Sequence, residues 1–277
     1  MQVLTTVAAF RAARAALGEL GLVPTLGFLH AGHLSLVERA RAENPAVAAS
    51  IFVNPTQFGP KEDLARYPRD LPRDLGLLEA AGVDLVFAPD AEEMYPPGFD
   101  LSIEIGGVTE VLEGAVRPGH FAGVATVVAK LFNIVQPTRA YFGQKDAQQS
   151  VVIRKLVRDL DLPVEVIVAP TVREADGLAL SSRNSYLTPE QRAAAPAIYR
   201  ALSEARRRFD AGERHGETLR EALRQTIAAE PLMQIDYVSV ADPLTLRELA
   251  TVEHQALASM AVRLGTTRLI DNLVLGA

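Results

Sequence analysis

Two histidines three residues apart, His30 and His33, are the first side chains whose type and spacing indicate chemistry. They follow a strand-like apolar run, residues 22–25, and stand where a helix is predicted to begin, with Gly27 and Gly32 close by. Backbone N–H groups and the dipole at a helix start favour a bound phosphate, and histidines there can donate to its oxygens. The same pattern also fits an ordinary strand-to-helix turn in which one histidine caps the helix.

Two later segments also place polar side chains directly after predicted strands. Asn54 and Gln57 follow the apolar run 47–53, and neutral amides suit a hydroxyl-bearing carboxylate because they both donate and accept hydrogen bonds. Lys145 and Asp146 follow another such run. The lysine offers a point charge for phosphate, and the aspartate can accept from a ribose hydroxyl or hold Mg²⁺ through water. Asn54 and Gln57 could equally be polar residues of an ordinary strand-to-loop connection, and Lys145 and Asp146 could equally form a surface ion pair.

A fourth segment, residues 173–184, contains two hydroxyls beside an arginine: Ser181, Ser182 and Arg183. Such a group can bind a polyphosphate, because the planar guanidinium of arginine can donate two parallel hydrogen bonds to phosphate oxygens. The turn pattern at 176–177 predicts a plain loop or a mobile lid. Together the four segments predict a site for a nucleoside triphosphate beside a small polar acid. The common phosphate-loop and dinucleotide motifs are absent from the sequence.

The elements that must position these segments are predicted from the alternation of short apolar runs with amphipathic ones. Strands are predicted at 22–25, 47–53, 83–88, 140–142 and 164–168, with helices near 33–43, 71–81, 123–135 and 147–159. From about residue 188, two long charged helices, 189–210 and 215–229, precede strand-like runs at 235–240, 254–262 and 268–272. The predicted fold is therefore α/β, a Rossmann-like doubly wound parallel sheet (1–171) with a smaller α+β C-terminal domain (172–277).

The overall composition narrows the classes of function. The 277 residues carry a net charge of −6, which argues against a nucleic-acid-binding surface. The absence of cysteine excludes disulfides and thiolate metal sites. A zinc site at the two histidines is not predicted, because no third ligand is evident near them. No signal-peptide pattern and no apolar run of about 18 residues is present. We therefore expect no membrane partner and a cytoplasmic location.

Sequence patterns at the same segments resemble one enzyme family. The pattern from Pro24 to His33 resembles the histidine signature of the nucleotidyltransferase superfamily, which is shared with class I aminoacyl-tRNA synthetases. The patterns that resemble the pantothenate synthetases in particular are Phe52-Val53-Asn54-Pro55-x-Gln57-Phe58, His120-Phe121-x-Gly123-Val124, Phe142-Gly143-x-Lys145-Asp146-x-Gln148-Gln149 and Arg173-Glu174-x-Asp176-Gly177-Leu178-Ala179-x-Ser181-Ser182-Arg183-Asn184. The resemblance is strong over residues 1–190 and weaker beyond them, where it rests on the closing Arg268-Leu269-Ile270-Asp271-Asn272.

The resemblance implies a ligase reaction in two steps. The carboxylate of pantoate attacks the α-phosphate of ATP, with Mg²⁺ present, and gives pantoyl adenylate and pyrophosphate. The amine of β-alanine then attacks the adenylate and releases pantothenate and AMP. The resemblance also implies a homodimer.

The resemblance assigns roles to individual residues. It implies that His33 is the proton donor, that His30 holds phosphates and that Lys145 neutralises charge at the α-phosphate. The residues that it assigns to ATP are Leu26, Gly27, His30, Gly32, His33, Gly143, Gln144, Lys145, Asp146, Val172, Leu180, Ser181, Ser182 and Arg183. Gln57 and Gln149 would bind pantoate, and Asp74 would be a magnesium contact.

The sequence departs from the family pattern at a few positions, none of which removes a proposed catalytic group. Leu26 and Leu180 stand where the family has methionine, Ala31 and Gln144 where it has glutamate, and Ala147 at a position often aromatic. Another nucleotidyltransferase would be marked by a different second signature in place of residues 181–184. A silent nucleotide-binding regulator is the alternative outside the enzymes, and it should lack His33 or Lys145.

Overall fold

In the computed structural model, which describes residues 1–60 and 62–276, the chain divides into two units. The first unit comprises Met1–Gly143 and Val152–Pro170. The second comprises Gln144–Val151 and the chain from Thr171 onward. Residues 144–151 therefore belong with the C-terminal part of the chain, although they directly follow a strand of the first unit.

The first unit contains a six-stranded sheet in which all neighbouring strands are parallel. The strands are β1 (Gln2–Leu4), β2 (Leu20–Thr25), β3 (Ala46–Ile51), β4 (Leu85–Phe87), β5 (Arg139–Gly143) and β6 (Glu165–Ala169), in the order β1-β4-β3-β2-β5-β6. The chain moves outward from β2 to β4 on one side and then to β5 and β6 on the other. The strand order therefore reverses between β2 and β5, and open α/β sheets bind ligands at the carboxyl ends beside such a reversal.

Helices cover both faces of this sheet. The helices along this part of the chain are α1 (Val7–Arg14), α2 (Ala31–Glu43), α3 (Leu71–Ala80), α4 (Ala91–Met94), α5 (Glu113–Val116), α6 (His120–Val135) and α7 (Ala147–Asp159), whose first residues belong to the second unit. Val37 of α2 and Leu78 of α3 share a core cluster with Val86 of β4. Phe10 of α1 instead contacts Phe87 edge-to-face, with ring centroids 5.3 Å apart. Because consecutive residues of a strand point to opposite faces, these contacts lie on opposite sides of the sheet.

The second unit packs helices on an antiparallel sheet. Its helices are α8 (Pro189–Ala194), α9 (Ala197–Asp210) and α10 (Gly216–Ala228), and its strands are β7 (Met233–Ala241), β8 (Ala256–Leu264) and β9 (Thr267–Leu275), in the order β7-β8-β9. Ile198, Leu202 and Leu223 of the helices share one core cluster with Met260 and Val262 of β8. The predicted fold class, a doubly wound parallel sheet followed by a smaller α+β part, is thereby confirmed.

Two details differ from the sequence-based expectation. The single helix predicted at 189–210 is divided into α8 and α9 at Pro196, because proline donates no N–H to the helix and clashes with the preceding turn. The strand β1 was not predicted, since it has three residues and is largely exposed. None of the helices in the described part of the chain combines the length and the apolar character needed to cross a bilayer.

Candidate active site

The loop after β2 carries the two histidines. The chain leaves the strand at Thr25, whose hydroxyl donates to the carbonyl of Ser50 at 2.7 Å and accepts from the backbone N–H of Gly27 at 3.2 Å. Gly27 and Phe28 have φ angles of +86° and +50°. Glycine adopts this left-handed conformation freely, whereas a phenylalanine there is disfavoured. Contacts from outside the loop must therefore hold this turn in place.

The histidines form a reciprocal cap at the start of α2. His30 is the N-cap, and its Nδ1 accepts from the backbone N–H of Gly32 at 3.2 Å. The Nδ1 of His33 accepts from the backbone N–H of His30 at 3.3 Å, and the ring centroids lie 4.0 Å apart. An accepting ring nitrogen carries no proton. In this arrangement each ring therefore has Nε2–H as its donor, which suits a pair of hydrogen bonds to phosphate.

A buried carboxylate, Asp74 of α3, holds the turn that precedes the histidines. Its Oδ2 accepts from the backbone N–H of Phe28 at 2.6 Å, and its Oδ1 accepts from that of Leu29 at 2.8 Å. The residue is 1% exposed. Arg73 is its ion-pair partner, with Nη1 3.4 Å from Oδ1. Hydrogen bonds to a charged acceptor are stronger than neutral ones, so α3 fixes the backbone of this loop.

The loop after β3 presents Gln57 from a short 3₁₀ turn, Pro55–Gln57. The side chain of Asn54 is completely buried, and its Nδ2 donates to Oε1 of Gln57 at 3.1 Å and to the carbonyl of Gly123 at 3.2 Å. Its Oδ1 accepts from the hydroxyl of Tyr95 at 2.7 Å. Because the amide oxygen of Gln57 is occupied by Asn54, Nε2 is the group that this turn offers to a ligand.

A second network holds the backbone of Gln57. The carbonyl of Gln57 accepts from Nδ1 of His120 at 2.8 Å, and Nη1 of Arg117 lies 3.0 Å from the other ring nitrogen. Arg117 also donates to both carboxylate oxygens of Glu62, at 2.7 and 2.6 Å. Burial, and then the charge of Arg117, lower the pKa of His120 to about 4. The ring is therefore neutral near pH 7, with its proton on the nitrogen that faces Gln57.

The residues around Lys145 are anchored to β9 within the second unit. Nδ2 of Asn272 donates to the carbonyls of Gln144 and Lys145, both at 2.9 Å. Nε2 of Gln144 donates back to Oδ1 of Asn272 at 3.0 Å. The ammonium of Lys145 lies 3.7 Å from a carboxylate oxygen of Asp146. The backbone that carries the lysine is thus fixed, while its side chain forms a loose ion pair with its neighbour.

The segment 172–184 is anchored to the same strand. Both terminal nitrogens of Arg173 donate to Asp271, at 2.6 and 2.9 Å, and Nη1 also donates to the carbonyl of Gly177 at 3.1 Å. The guanidinium lies over the ring of Tyr199, 4.1 Å from its centroid. The Oγ of Ser181 accepts from the backbone N–H of Arg183 at 3.3 Å, which begins the 3₁₀ turn Ser182–Tyr186.

Within the first unit, the structure brings together several of the residues assigned from the sequence. The backbone N–H of Phe52 donates to the carbonyl of Thr25 at 3.1 Å, so the loops after β2 and β3 leave the sheet side by side. The first loop carries Leu26, Gly27 and the N-cap His30, and the first turn of α2 carries Gly32 and His33, while Gln57 lies after β3 and Gly143 ends β5. Asp74 reaches the first of these loops from α3.

Within the second unit, the predicted residues lie on three segments. Gln144, Lys145 and Asp146 form one 3₁₀ turn, and Gln149 follows half-buried on α7. Val172 and Leu180 face each other across a hairpin-like loop, where the N–H of Leu180 donates to the carbonyl of Val172 at 3.0 Å. The third segment holds the remaining predicted residues, Ser181, Ser182 and Arg183.

Five anchoring residues have no role in the sequence-based assignment: Tyr95, Arg117, His120, Asp271 and Asn272. His120 and the pair at 271–272 lie in segments that resemble the family pattern. That resemblance was the available signal, but the contacts that they make were not predictable from it. Across residues 1–60 and 62–276, no group of three histidine or carboxylate side chains is arranged to hold a metal ion.

The chain is similar to known proteins over nearly its whole length. The sequence model of the family described as Pantoate-beta-alanine ligase matches residues 2–274. A pantothenate synthetase from Herpetosiphon aurantiacus is 66% identical over 276 residues, which are 99% of this chain and 100% of that protein. A pantothenate synthetase from Moorella thermoacetica is 58% identical over 279 residues, 99% of each chain.

Solved structures agree with these similarities. The crystal structure of pantothenate synthetase from Thermus thermophilus superposes with a TM-score of 0.95 at 55% identity, covering 99% of both chains. Pantoate-beta-alanine ligase from Francisella tularensis, complexed with beta-gamma ATP and beta-alanine, superposes with a TM-score of 0.82 at 37% identity. It covers 99% of this chain and 97% of that one.

Proposed function

The chain belongs to the pantoate-beta-alanine ligase family, and from that premise we propose that it joins pantoate to β-alanine with consumption of ATP, through pantoyl adenylate. Within the molecule, the observation that carries the proposal is the side-by-side exit of the histidine loop and the Gln57 turn from β2 and β3. Hydrogen-bond donors suited to a phosphate therefore lie beside an amide suited to a small acid. This is the pairing that an acid-activating enzyme requires.

The first step forms a bond between a pantoate carboxylate oxygen and the α-phosphorus, while the bond from that phosphorus to the pyrophosphate oxygen breaks. Negative charge builds on the phosphate oxygens, so fixed donors are needed and a strong base is not. We propose that His30 and His33 supply these donors through Nε2–H, assisted by the N-terminus of α2. The capping hydrogen bonds hold both rings in place before ATP arrives, which removes part of the ordering cost.

The acid is recognised by neutral amides in this proposal. Gln57 directs Nε2 at the carboxylate or a hydroxyl of pantoate, since Asn54 holds its amide oxygen. Gln149 is proposed as a second pantoate contact. The reason is the same for both: an amide can donate to oxygen without placing a second charge beside a carboxylate. In the second step the amine of β-alanine attacks the acyl carbon, and AMP leaves.

Residues of the second unit are proposed to bind the nucleotide. Lys145 offers its charge to the α-phosphate, and Ser181, Ser182 and Arg183 hold the outer phosphates. The other residues proposed to contact ATP are Leu26, Gly27, Gly32, Gly143, Gln144, Asp146, Val172 and Leu180. The anchored backbone at Gln144 and Lys145 supports this role, because a phosphate ligand is bound best by groups whose positions are already fixed.

Magnesium is proposed to arrive with ATP and not to be held by a protein cage. In the described residues no three-ligand cluster exists, and both oxygens of Asp74 already accept backbone N–H groups. Mg²⁺ in such enzymes commonly keeps several waters and binds the substrate phosphates. The assignment of Asp74 as a magnesium contact does not fit its hydrogen bonds.

Three further features are proposals that rest on the resemblance and the composition. They are a homodimer, a cytoplasmic location, and a division of the chain into a catalytic domain (1–171) and a lid domain (172–277). Sedimentation of the purified protein tests the first, and limited proteolysis between 170 and 187 tests the last.

The reaction is tested by pyrophosphate release from ATP and Mg²⁺ with pantoate, with and without β-alanine. We expect pantoate-dependent release that becomes multi-turnover only with β-alanine. His33→Ala should reduce the rate by about 10²–10³-fold, while His254→Ala, which removes an exposed histidine, should not. ATP binding without pantoate-dependent release would contradict the proposal and favour a nucleotide-binding regulator.

A further inference from the structure

The carboxylate of Asp74 is almost completely enclosed and faces the turn between β2 and α2. Its two oxygens accept hydrogen bonds from the backbone N–H groups of Phe28 and Leu29, at 2.6 and 2.8 Å. A Cβ added to Gly27 would lie 3.2 Å from one of these oxygens. The carboxylate therefore fits closely against the turn that leads into His30.

We propose that Asp74 is a positioning residue, which sets the place of His30 and His33 by holding the backbone of Phe28 and Leu29. It does not act as a metal ligand. The inference rests on the proposed function only in that the two histidines contact the phosphates of ATP. The hydrogen bonds on which it is built do not depend on that function.

The conformation of the loop gives the carboxylate its importance. Phe28 has a φ angle of +50°, a conformation that costs free energy for any residue with a side chain. Two charge-assisted hydrogen bonds at consecutive residues offset this cost and select one backbone path. Two residues after Phe28, His30 caps the start of α2, so a change in this path displaces both rings of the reciprocal cap.

The surroundings of Asp74 do not suit a metal ion. Each carboxylate oxygen already accepts a hydrogen bond from a backbone N–H. Because the residue is only 1% exposed, there is no room for the waters that Mg²⁺ usually retains. The positive charge beside it comes from Arg73, whose guanidinium also lies 5.5 Å from the ring centroid of Phe28. Helix, ion pair and loop together form one rigid support for the histidines.

The same helix offers a matched control. Asp70 is the N-cap of α3, and its Oδ1 accepts from the N–H of Arg73 in the same helix at 3.2 Å. Asp70→Ala weakens the start of α3 without removing an acceptor from the histidine loop. Asp74→Asn keeps the volume of the side chain but turns an NH₂ group towards one of two backbone donors.

Two measurements on the full chain test the inference. The first is the ¹H–¹⁵N spectrum of the protein, in which the amide protons of Phe28 and Leu29 should lie downfield because their acceptor is charged. Asp74→Asn should shift at least one of them upfield, and Asp70→Ala should shift neither. Ordinary amide shifts in the unmodified protein would overturn the inference even if every variant failed to fold.

The second measurement is a titration of the rate with Mg²⁺ at saturating ATP and pantoate. For Asp74→Asn we expect kcat to fall by about 10²-fold, as for a misplaced catalytic group, with the half-saturating Mg²⁺ concentration within about twofold of the unmodified protein. Asp70→Ala should keep kcat. Recovery of kcat at high Mg²⁺ would identify Asp74 as a metal ligand and overturn the inference. If the unmodified protein released no pyrophosphate, the proposed function would fail, while the spectrum would still decide the hydrogen bonds of Asp74.

Discussion

Arg173 and Asp271, which are 98 residues apart in the chain, are joined by two hydrogen bonds of 2.6 and 2.9 Å. Asp271 is 3% exposed and the side chain of Arg173 is 14% exposed, so this is a bidentate pair with a buried carboxylate. The next residue, Asn272, holds the carbonyls of Gln144 and Lys145. Two consecutive residues of strand β9 therefore anchor both segments of the second unit to which phosphate-binding roles are proposed.

Removal of one member of this pair should be strongly destabilising. We expect Asp271→Asn to lower the free energy of unfolding by about 3–5 kcal/mol, because the guanidinium of Arg173, which is largely shielded from solvent, loses its charged partner. Glu217→Gln is the matched control, since Glu217 is an exposed carboxylate between Arg220 and Arg224 and solvent screens such pairs. Denaturant unfolding followed by circular dichroism measures both. Equal effects of the two substitutions would contradict a structural role for the pair of Arg173 and Asp271.

The side chain of Asn272 should control ATP binding through the backbone of Lys145. Asn272→Asp should raise the KM for ATP more than Asn272→Ala does, because a carboxylate would face two carbonyl oxygens where an amide now donates. For the alanine variant we expect a rise of about tenfold for the loss of roughly 1.4 kcal/mol of hydrogen bonding. Asn133→Ala serves as control, since the side-chain amide of Asn133 donates to Ala129 within its own helix. A smaller effect for aspartate than for alanine would contradict the argument.

Tyr95 should affect pantoate and not ATP. Its hydroxyl donates to Asn54, which in turn orients Gln57. We expect Tyr95→Phe to raise the KM for pantoate by about fivefold, the equivalent of one hydrogen bond of about 1 kcal/mol. The KM for ATP, measured on the same protein, is the internal control. A rise confined to ATP would show that the Asn54 network does not position the acid.

His120 should make the stability depend on pH below neutrality. Burial, and then Arg117, lower its pKa from 6.5 to about 4, while Glu62 and Glu113 oppose the shift. The unfolded chain takes up a proton below pH 6.5 and the folded protein does so only near pH 4. The contribution of the neutral ring is therefore complete above pH 6.5 and is lost as the pH falls to 4. Its size is about 3 kcal/mol, at about 1.36 kcal/mol per pKa unit.

This dependence can be measured as a difference between two proteins. The free energy of unfolding of the unmodified protein should fall more steeply from pH 6.5 to 4 than that of His120→Gln, because other titrating groups are common to both. Glutamine can still donate to the carbonyl of Gln57, so the variant should keep its fold. Parallel pH profiles for the two proteins would show that His120 is not the group that titrates.

The sequence predicted the parallel sheet well, because strands such as β3 are buried on both faces and are recognisable as apolar runs. It also placed His30, His33, Gln57 and Lys145 at strand ends, where the structure has them; their catalytic roles stay predictions. The sequence could not predict the partners that hold these groups. Asn272 lies 127 residues from Lys145, and such a pairing is decided by tertiary packing rather than by local pattern.

The distance along the chain between Lys145 and Asn272 also has a consequence during protein synthesis. At about 5–20 residues per second, the ribosome needs roughly 6–25 s to add the 127 residues that separate them. Once β6 ends at Ala169, the parallel sheet has all its strands, but the segment at Lys145 still lacks its anchor. The strands of the first unit are therefore synthesised well before the residue that fixes the backbone at Lys145, and we expect activity to appear only after β9 has left the ribosome.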